Sequence, residues 1–246
     1  MPARLHVDLP LACGAELALP PGPARHVQVL RLQPGDAVTL FDGRGGEWAA
    51  EVLRMGRQSV EVRVGAHDPA DRELPGSVTL VAGMPANDRF DWLIEKATEL
   101  GVAAIEPVVC ERSVLRLAGE RAERKREHWQ GIAQAAAEQS GRTRVPRIGP
   151  VRPLAQAVAE ADRAHRHWLL SLAEAVPMAA ALPTDGRTAP PLHVWSGPEG
   201  GFSPQEEARI RAIGAQAVTL GPRVLRSETA PLTVLAALGT LGMPAA

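Results

Sequence analysis

Near its C-terminal end the chain runs LHVWSGPEGGFSPQEEARI, a short spacer, then AVTLGPRVLRSETAPLTVLAALGTL, from Leu192 to Leu241. This stretch reads as two successive strand-turn-helix units, each with a glycine-bearing turn that opens a helix. In the first, His193–Ser196 is a short β-prone run. It stops at Gly197-Pro198-Glu199-Gly200-Gly201, where three glycines and a proline permit a tight loop with unusual dihedrals. Ser203-Pro204-Gln205-Glu206 follows as a capping box, with Ser at the N-cap, Pro at N1 and Glu at N3. The loop is thus pinned to a helix N-terminus, where backbone N–H groups can face a ligand. A phosphate loop is a poor match: no Lys-Ser/Thr follows the glycines, the spacing is not G-x-G-x-x-G, and Glu199 would repel phosphate. A ligand with hydroxyl or cationic groups suits the loop better.

In the second unit Ala217–Leu220 is a strand, Gly221-Pro222 turns the chain and Val224-Leu225 is apolar. Arg226-Ser227-Glu228-Thr229 then sets an acid beside a base, and Ser227 or Thr229 can cap the next helix. That helix, Leu232–Leu241, is apolar on nearly every side, which marks it as buried. Charges at the mouth of a buried helix are costly unless paired or functional. Two readings of Arg226 and Glu228 stay open: an ion pair that pins the last helix, or a catalytic pair.

The rest of the chain supplies a frame for these units. Met1 to about Asp71 reads as β: Val60, Val62 and Val64 alternate with Glu61 and Arg63, and Asp42-Gly43 with Gly45-Gly46 marks a hairpin turn. A short helical piece spans Ala24–Arg31. His67–Gly76 is polar, proline-bearing and aperiodic, as a linker would be. Strands and helices then alternate. Ser77–Ala82 is a strand. Asn87 or Asp88 caps a helix through Phe90, Leu93, Ile94, Ala97 and Leu100 that Gly101 stops. Ile105–Cys110, helix Glu120–Gln139 ended by Gly141, helix Arg152–Ala161 and strand Trp168–Leu172 follow. This order predicts an α/β domain with a mainly parallel sheet, whose ligands sit at the carboxyl ends of strands.

Charge and composition narrow the partners. Net charge is −1, yet Arg112–Arg152 carries ten Lys and Arg against four Glu. That is either a stripe for phosphates or the solvated face of a helix. Aromatics are 3% with no Tyr, too few for a single-strand binder built on stacking. Cys13 and Cys110 lack metal-like spacing, so neither a zinc site nor a disulfide is expected, and a reducing cytoplasm fits. No secretory signal is expected, since Asp8 and Glu16 bracket the only early apolar run. Thr229–Ala246 is uncharged but short of a membrane span of about 20 residues and is broken by Pro231, Gly239, Gly242 and Pro244.

GPEGGFSPQEE followed by LGPRVLRSETAPLTVLAAL resembles the RsmE family of small-subunit ribosomal RNA methyltransferases, of the SPOUT superfamily. EKATELGV at Glu95–Val102, ERSV at Glu111–Val114, AEQSGRTRVPRI at Ala137–Ile148 and the N-terminal HVQVLRLQPGDAVTLFDGRGGEW agree. The resemblance implies an α/β fold with a SPOUT-type mainly parallel sheet and a C-terminal trefoil knot, plus a small PUA-like β-barrel. Residues 1–71 would be the RNA-binding domain and 72–246 the methyltransferase domain. The implied reaction moves a methyl group from S-adenosylmethionine to N3 of a uridine in 16S rRNA, uridine 1498 near the decoding centre in the family. The cofactor is expected against Leu172, Glu174, Gly197, Pro198, Glu199, Gly200, Gly201, Leu220, Gly221, Val224, Leu225 and Arg226. Glu228 is the candidate base, and Arg226 the candidate holder of a uracil oxygen or of the cofactor's end. RNA is expected on Arg25, His26, Arg31, Arg112, Arg142, Arg144 and Arg147. A homodimer is expected, with Leu232, Val234, Leu235, Leu238 and Leu241 in the contact; no metal and no membrane partner are. The alternative is a non-catalytic RNA-binding or ribosome-assembly protein, which would not need both glycine turns intact. The missing fingerprints count against a nucleotide enzyme.

Overall fold

The computed structural model describes residues 2–57, 59–86, 88–182 and 191–241. The chain divides into two compact units, Met1–Glu73 with Ala137–Val145, and Leu74–Ala136 with Pro146–Ala246.

The first unit contains β1 (Ala3–His6), β2 (Glu16–Ala18), α1 (Pro21–Val29), β3 (Ala37–Phe41), β4 (Glu47–Met55) and β5 (Val60–Asp68). They form one sheet in the order β1-β3-β4-β5-β2, antiparallel except for the β1–β3 pair. The alternation of β5 holds: Val60, Val62 and Val64 are buried with Leu5, Leu40 and Val52 in the core. At the β3–β4 hairpin Gly43, Gly45 and Gly46 all take positive φ, and the Arg44 N–H donates to Asp42 Oδ1 at 2.9 Å. Helix α1 starts earlier than the apolar spacing suggests, because Pro21 and Pro23 fit a first turn that needs no N–H donors. Arg31, expected at its end, instead turns left-handed at φ 56°.

Residues 137–145 are bound into this unit by polar contacts. Glu138 Oε1 accepts from His6 N at 2.9 Å, and Gly45 N donates to Thr143 O at 3.2 Å. Arg142 is 4% exposed and its guanidinium grips the Glu73 carboxylate, with Nε at 3.0 and 3.1 Å from the two oxygens. This corrects the expectation that Arg142 faces RNA: its charge is used inside the unit. Burial pushes the Glu47 carboxyl up, but Arg72 and Arg4 beside it outweigh that and hold it below the ordinary range.

The second unit contains β6 (Val78–Gly83), α2 (Arg89–Glu99), β7 (Ala104–Val109), α3 (Gly119–Ser140, whose last residues belong to the first unit), β8 (Arg147–Ile148), β9 (Arg152–Pro153), α4 (Leu154–Ala159), β10 (Arg166–Leu170), β11 (Val176–Pro177), α5 (Met178–Ala181), β12 (Leu192–Ser196), α6 (Pro204–Ala212), β13 (Gln216–Thr219) and α7 (Thr229–Leu241). The sheet runs β11-β13-β10-β12-β6-β7-β8, with β9 also on β7, and every pair is parallel. Both faces are covered, as parallel sheets require. Val78, Leu80, Trp168 and Val194 pack with α2, α3 and α7, while Val81, Leu169 and Trp195 pack with α4 and α6. Gly101 ends α2 at φ 90°, with Val102 N on Ala97 O at 3.0 Å, as its position predicts. Asp88 precedes α2 without a side-chain cap bond, and Asn87 lies outside the described residues. Helix α4 starts at Leu154 because Arg152-Pro153 pairs with β7.

The apolar breadth of α7 has a simpler cause than an interface. Leu232, Val234, Leu235 and Leu238 are between 0% and 8% exposed within the single chain, and only Leu241 is open, at 66%. The four are core residues, so they cannot carry the homodimer argument.

Three histidines cluster here: His165 just before β10, His167 on β10 and His193 on β12. The Trp195 indole N–H donates to His167 Nδ1 at 3.1 Å, which leaves His167 Nε2 to donate to Asp162 O at 2.9 Å. His165 Nδ1 lies 3.1 Å from His193 Nε2. Burial first, then the neighbouring His167 and His165, push the His193 imidazole down to about 4 from 6.5. The folded protein thus resists a proton that the unfolded chain accepts, so the contribution of His193 to stability is complete above pH 6.5 and is lost as pH falls towards 4. The melting temperature should fall across that window, and His193→Gln should flatten the fall; thermal unfolding by circular dichroism at stepped pH measures both.

Candidate active site

Strand β12 ends on Ser196, and the chain turns at once into the glycine loop. A Cβ on Gly197 would lie 2.9 Å from the Gly201 carbonyl carbon and the Phe202 nitrogen, so only glycine fits there. Gly201 sits at φ 67° and donates its N–H to Pro198 O at 2.8 Å. The loop then feeds the capping box read from the sequence. Ser203 Oγ accepts from Glu206 N at 3.3 Å, and Glu206 Oε2 accepts from Ser203 N at 2.8 Å. The other oxygen of Glu206 accepts from Glu111 N at 2.8 Å. One buried carboxylate therefore satisfies backbone donors on two segments.

The ERSV stretch explains itself here. Arg112 Nη1 donates to Gly200 O at 3.0 Å and to Phe202 O at 3.3 Å, and Ser113 Oγ accepts from Cys110 N at 2.9 Å. Arg112, an exposed residue, thus braces the glycine loop. Its stem also lies 3.0 Å from where a Gly200 Cβ would be, so at Gly200 the obstacle to a side chain is Arg112.

The second turn lies alongside. Thr219 Oγ1 donates to Gly221 O at 3.1 Å, Gly221 takes φ 107°, and Arg226 O accepts from Thr229 N and Ala230 N at 2.9 and 3.0 Å. The ends of β10, β12 and β13 and their loops enclose a cleft of about 590 Å³, within the range of small-molecule sites, roughly 300–1,000 Å³. All the residues expected at a cofactor line it except Glu174 and Gly221. Glu174 sits just beyond, in left-handed backbone at φ 48°.

The lining also holds Arg89, Ser196, Phe202 and Arg223, which sequence reasoning missed. Only Ser196 carried a signal, as the last residue of the β-prone run before the glycines. It is 3% exposed and its Oγ has no hydrogen-bond partner among the described residues. An unsatisfied buried hydroxyl at a cleft wall is a vacancy for a ligand's polar group. The cleft wall is otherwise largely backbone and aliphatic, with the arginines and acids at its edges.

Glu228 is 7% exposed, and Ser227 Oγ donates to its Oε2 at 3.1 Å. The cation nearest to it is Arg89, with Nε at 4.0 Å from Oε1. Among the described residues no ion pair joins Arg226 to Glu228, so the adjacent acid and base do not pin the last helix as a pair. Arg226 is exposed. Of the remaining RNA candidates, Arg25, His26, Arg31 and Arg144 are exposed, and Arg144 forms an antiparallel bridge with Arg44. Arg147 reaches Glu106 yet leaves 63% of its side chain open.

One unit of the chain is built on a parallel sheet with glycine loops at its strand ends, and the other holds a small, mainly antiparallel sheet. Two family models match accordingly: an RNA methyltransferase domain over residues 72–239 and an RNA methyltransferase PUA domain over residues 24–65. The chain belongs to the family of ribosomal RNA small subunit methyltransferase E. It is 34% identical over 222 residues to that protein of Bacillus subtilis, covering 86% of this chain and 84% of the relative, and 35% identical over 220 residues to that of Mycobacterium tuberculosis, covering 87% and 81%. The Neisseria gonorrhoeae methyltransferase E, crystallised bound to S-adenosylmethionine, superimposes with a TM-score of 0.90 at 36% identity over 98% of both chains. A Legionella pneumophila methyltransferase in complex with the same cofactor gives 0.89 at 32%, again over 98% of both.

Proposed function

We propose that this protein methylates N3 of one uridine of 16S rRNA in the small ribosomal subunit, taking the methyl group from S-adenosylmethionine held in the cleft. The observation that carries the reading is the cleft itself: two glycine turns at the ends of parallel strands, enclosing backbone groups and the unpartnered Ser196 hydroxyl. A non-catalytic RNA-binding protein would have no use for such a cleft. The relatives crystallised with the cofactor match over nearly the whole chain. The family's trefoil knot, its target at uridine 1498 and a cytoplasmic location belong to the same proposal.

The residues divide the work as follows. Ser196, the Gly197–Gly201 loop and the Leu220–Leu225 turn hold the cofactor, largely through backbone groups. When bound, S-adenosylmethionine supplies an electrophilic methyl on its sulfonium. Uracil N3 is a weak nucleophile while protonated, so a base must take its proton as the N3–methyl bond forms and the methyl–sulfur bond breaks. Glu228 accepts that proton. Arg226, exposed and without a carboxylate partner among the described residues, steadies the negative charge that spreads to the uracil oxygens. Arg25, His26, Arg31, Arg144 and the open part of Arg147 contact RNA phosphates. We also propose a homodimer, supported by the family and by large apolar side chains left open in one chain, Trp92, Val224 and Leu241. Sedimentation as a monomer at micromolar concentration with full activity would refute it.

Mass mapping of 16S rRNA from a strain lacking the protein should reveal one unmethylated uridine, and no missing methyl group would overturn the reading. Glu228→Gln should lower the methyl-transfer rate by roughly 10²–10⁴-fold, the usual scale for losing a general base. Its affinity for S-adenosylmethionine, read by calorimetry, should stay close to that of the parent.

Arg144→Ala combined with Arg147→Ala should weaken RNA binding and reduce the salt slope by about one unit per lost phosphate contact. Cofactor affinity should not move. Arg142 is left out of this test because it is itself buried and its loss would unpair the partly buried Glu73 carboxylate.

A further inference from the structure

One cation at the mouth of the cleft reaches two carboxylates. Arg89 stands in the first turn of α2, with Nη1 at 3.5 Å from Glu199 Oε1 and Nε at 4.0 Å from Glu228 Oε1. The same Glu199 oxygen accepts the Ala86 N–H at 2.8 Å. Glu199 belongs to the glycine loop after β12, Glu228 to the turn that opens α7, and Ala86 to the turn after β6. Two turns distant in sequence thus meet at one guanidinium, and a third segment bonds the Glu199 carboxylate. Glu228 is nearly buried, and a carboxylate out of water needs a cation or donors close by. Two carboxylates near one another also repel, and Arg89 lies between them. Arg223 and Arg226 differ: both are exposed cleft residues with no carboxylate partner among the described residues, which leaves them for an anionic ligand.

We propose that Arg89 is a positioning residue that holds Glu199 and Glu228 in fixed relation, so that the cofactor loop and the proton-accepting carboxylate are set by the same cation. This rests on the reading of the glycine loop as the cofactor site and of Glu228 as the base. Arg89 acts through the two glutamates and adds no chemical step. A single cation shared in this way makes the geometry of cofactor binding and that of proton removal depend on each other.

Double-mutant cycles in the full chain test it. Arg89→Met, Arg89→Lys, Glu199→Gln, Glu228→Gln and the paired variants would be compared by S-adenosylmethionine affinity and by single-turnover methyl transfer to unmethylated small subunits. Arg89→Met should weaken cofactor binding about threefold and slow transfer about tenfold, a coupling in the range of contacting residues. It should slow transfer no further in the Glu228→Gln background and weaken cofactor binding no further in the Glu199→Gln background. Arg89→Lys should restore most of both losses, which a merely misfolded variant would not, and thermal unfolding of each variant checks folding. Parent values for Arg89→Met, no gain with lysine, or fully multiplicative effects in both backgrounds would overturn the proposal. If Glu228→Gln alone transfers methyl at the parent rate, the base assignment falls instead, and the Glu199 cycle decides the role of Arg89.

Discussion

A parallel sheet covered on both faces commits the backbone of its central strands to the ladder, so polar backbone becomes available only where those strands end. In this chain β10, β12 and β13 end side by side, and their loops must satisfy each other or a ligand. Glu206 does the first task. Its two oxygens take the Ser203 and Glu111 N–H groups, which fixes the start of α6 and the exit of β7 together. Arg112 then clamps the Gly200 and Phe202 carbonyls from the same side. What remains open between the loops is the cleft, and the Ser196 hydroxyl is left on its wall. The capping carboxylate is therefore the piece on which the shape of the site depends.

The basic stretch has a structural use that lowers the charge available to RNA. Arg152 and Arg147 both reach the buried Glu106, and a Cβ on Gly149 would press on that carboxylate. Arg142 is taken by Glu73, Arg126 by Glu123 and Arg124 by Glu120. The exposed helix pairs are weak and leave their charges in water. The pairs to Glu106 and Glu73 are different in kind, because their carboxylates are shielded and removing either partner leaves a charge without compensation. A count of arginines along the sequence overstates the phosphate-facing surface for this reason.

What was legible in the sequence is local. The glycine loop, the capping box at Ser203 and Glu206, the αL stop at Gly101 and the alternation of β5 each depend on residues within a few positions of one another. Their physics is the same in any fold. Nothing local marks Arg89, and the RNA role expected of Arg142 fails, because their partners, Glu199 and Glu228 for one and Glu73 for the other, are distant in sequence. Helix α7 was misjudged for a related reason. An apolar circumference says that a helix is buried, but whether its cover comes from the same chain or a second copy depends on how many neighbours pack on it. Here α2 and the sheet already cover Leu232, Val234, Leu235 and Leu238.

The identity of the proton acceptor can be argued from the groups around the cleft. No histidine or lysine lines it among the described residues. Cys110 stands near the loop, but burial first and the Glu206 charge second push its thiol up to about 12, so no thiolate is present at neutral pH. Carboxylates remain. Glu206 has both oxygens engaged by backbone donors, and Glu207 faces Arg211 at 3.9 Å on α6. Glu199 is held by the Ala86 N–H and by Arg89. Glu228, the base of the proposed reaction, is sheltered from water, takes the Ser227 hydroxyl on one oxygen and has Arg89 4.0 Å from the other. In the proposed reaction the exposed Arg226, next to Ser227 in the chain, supplies positive charge to the uracil ring as N3 loses its proton.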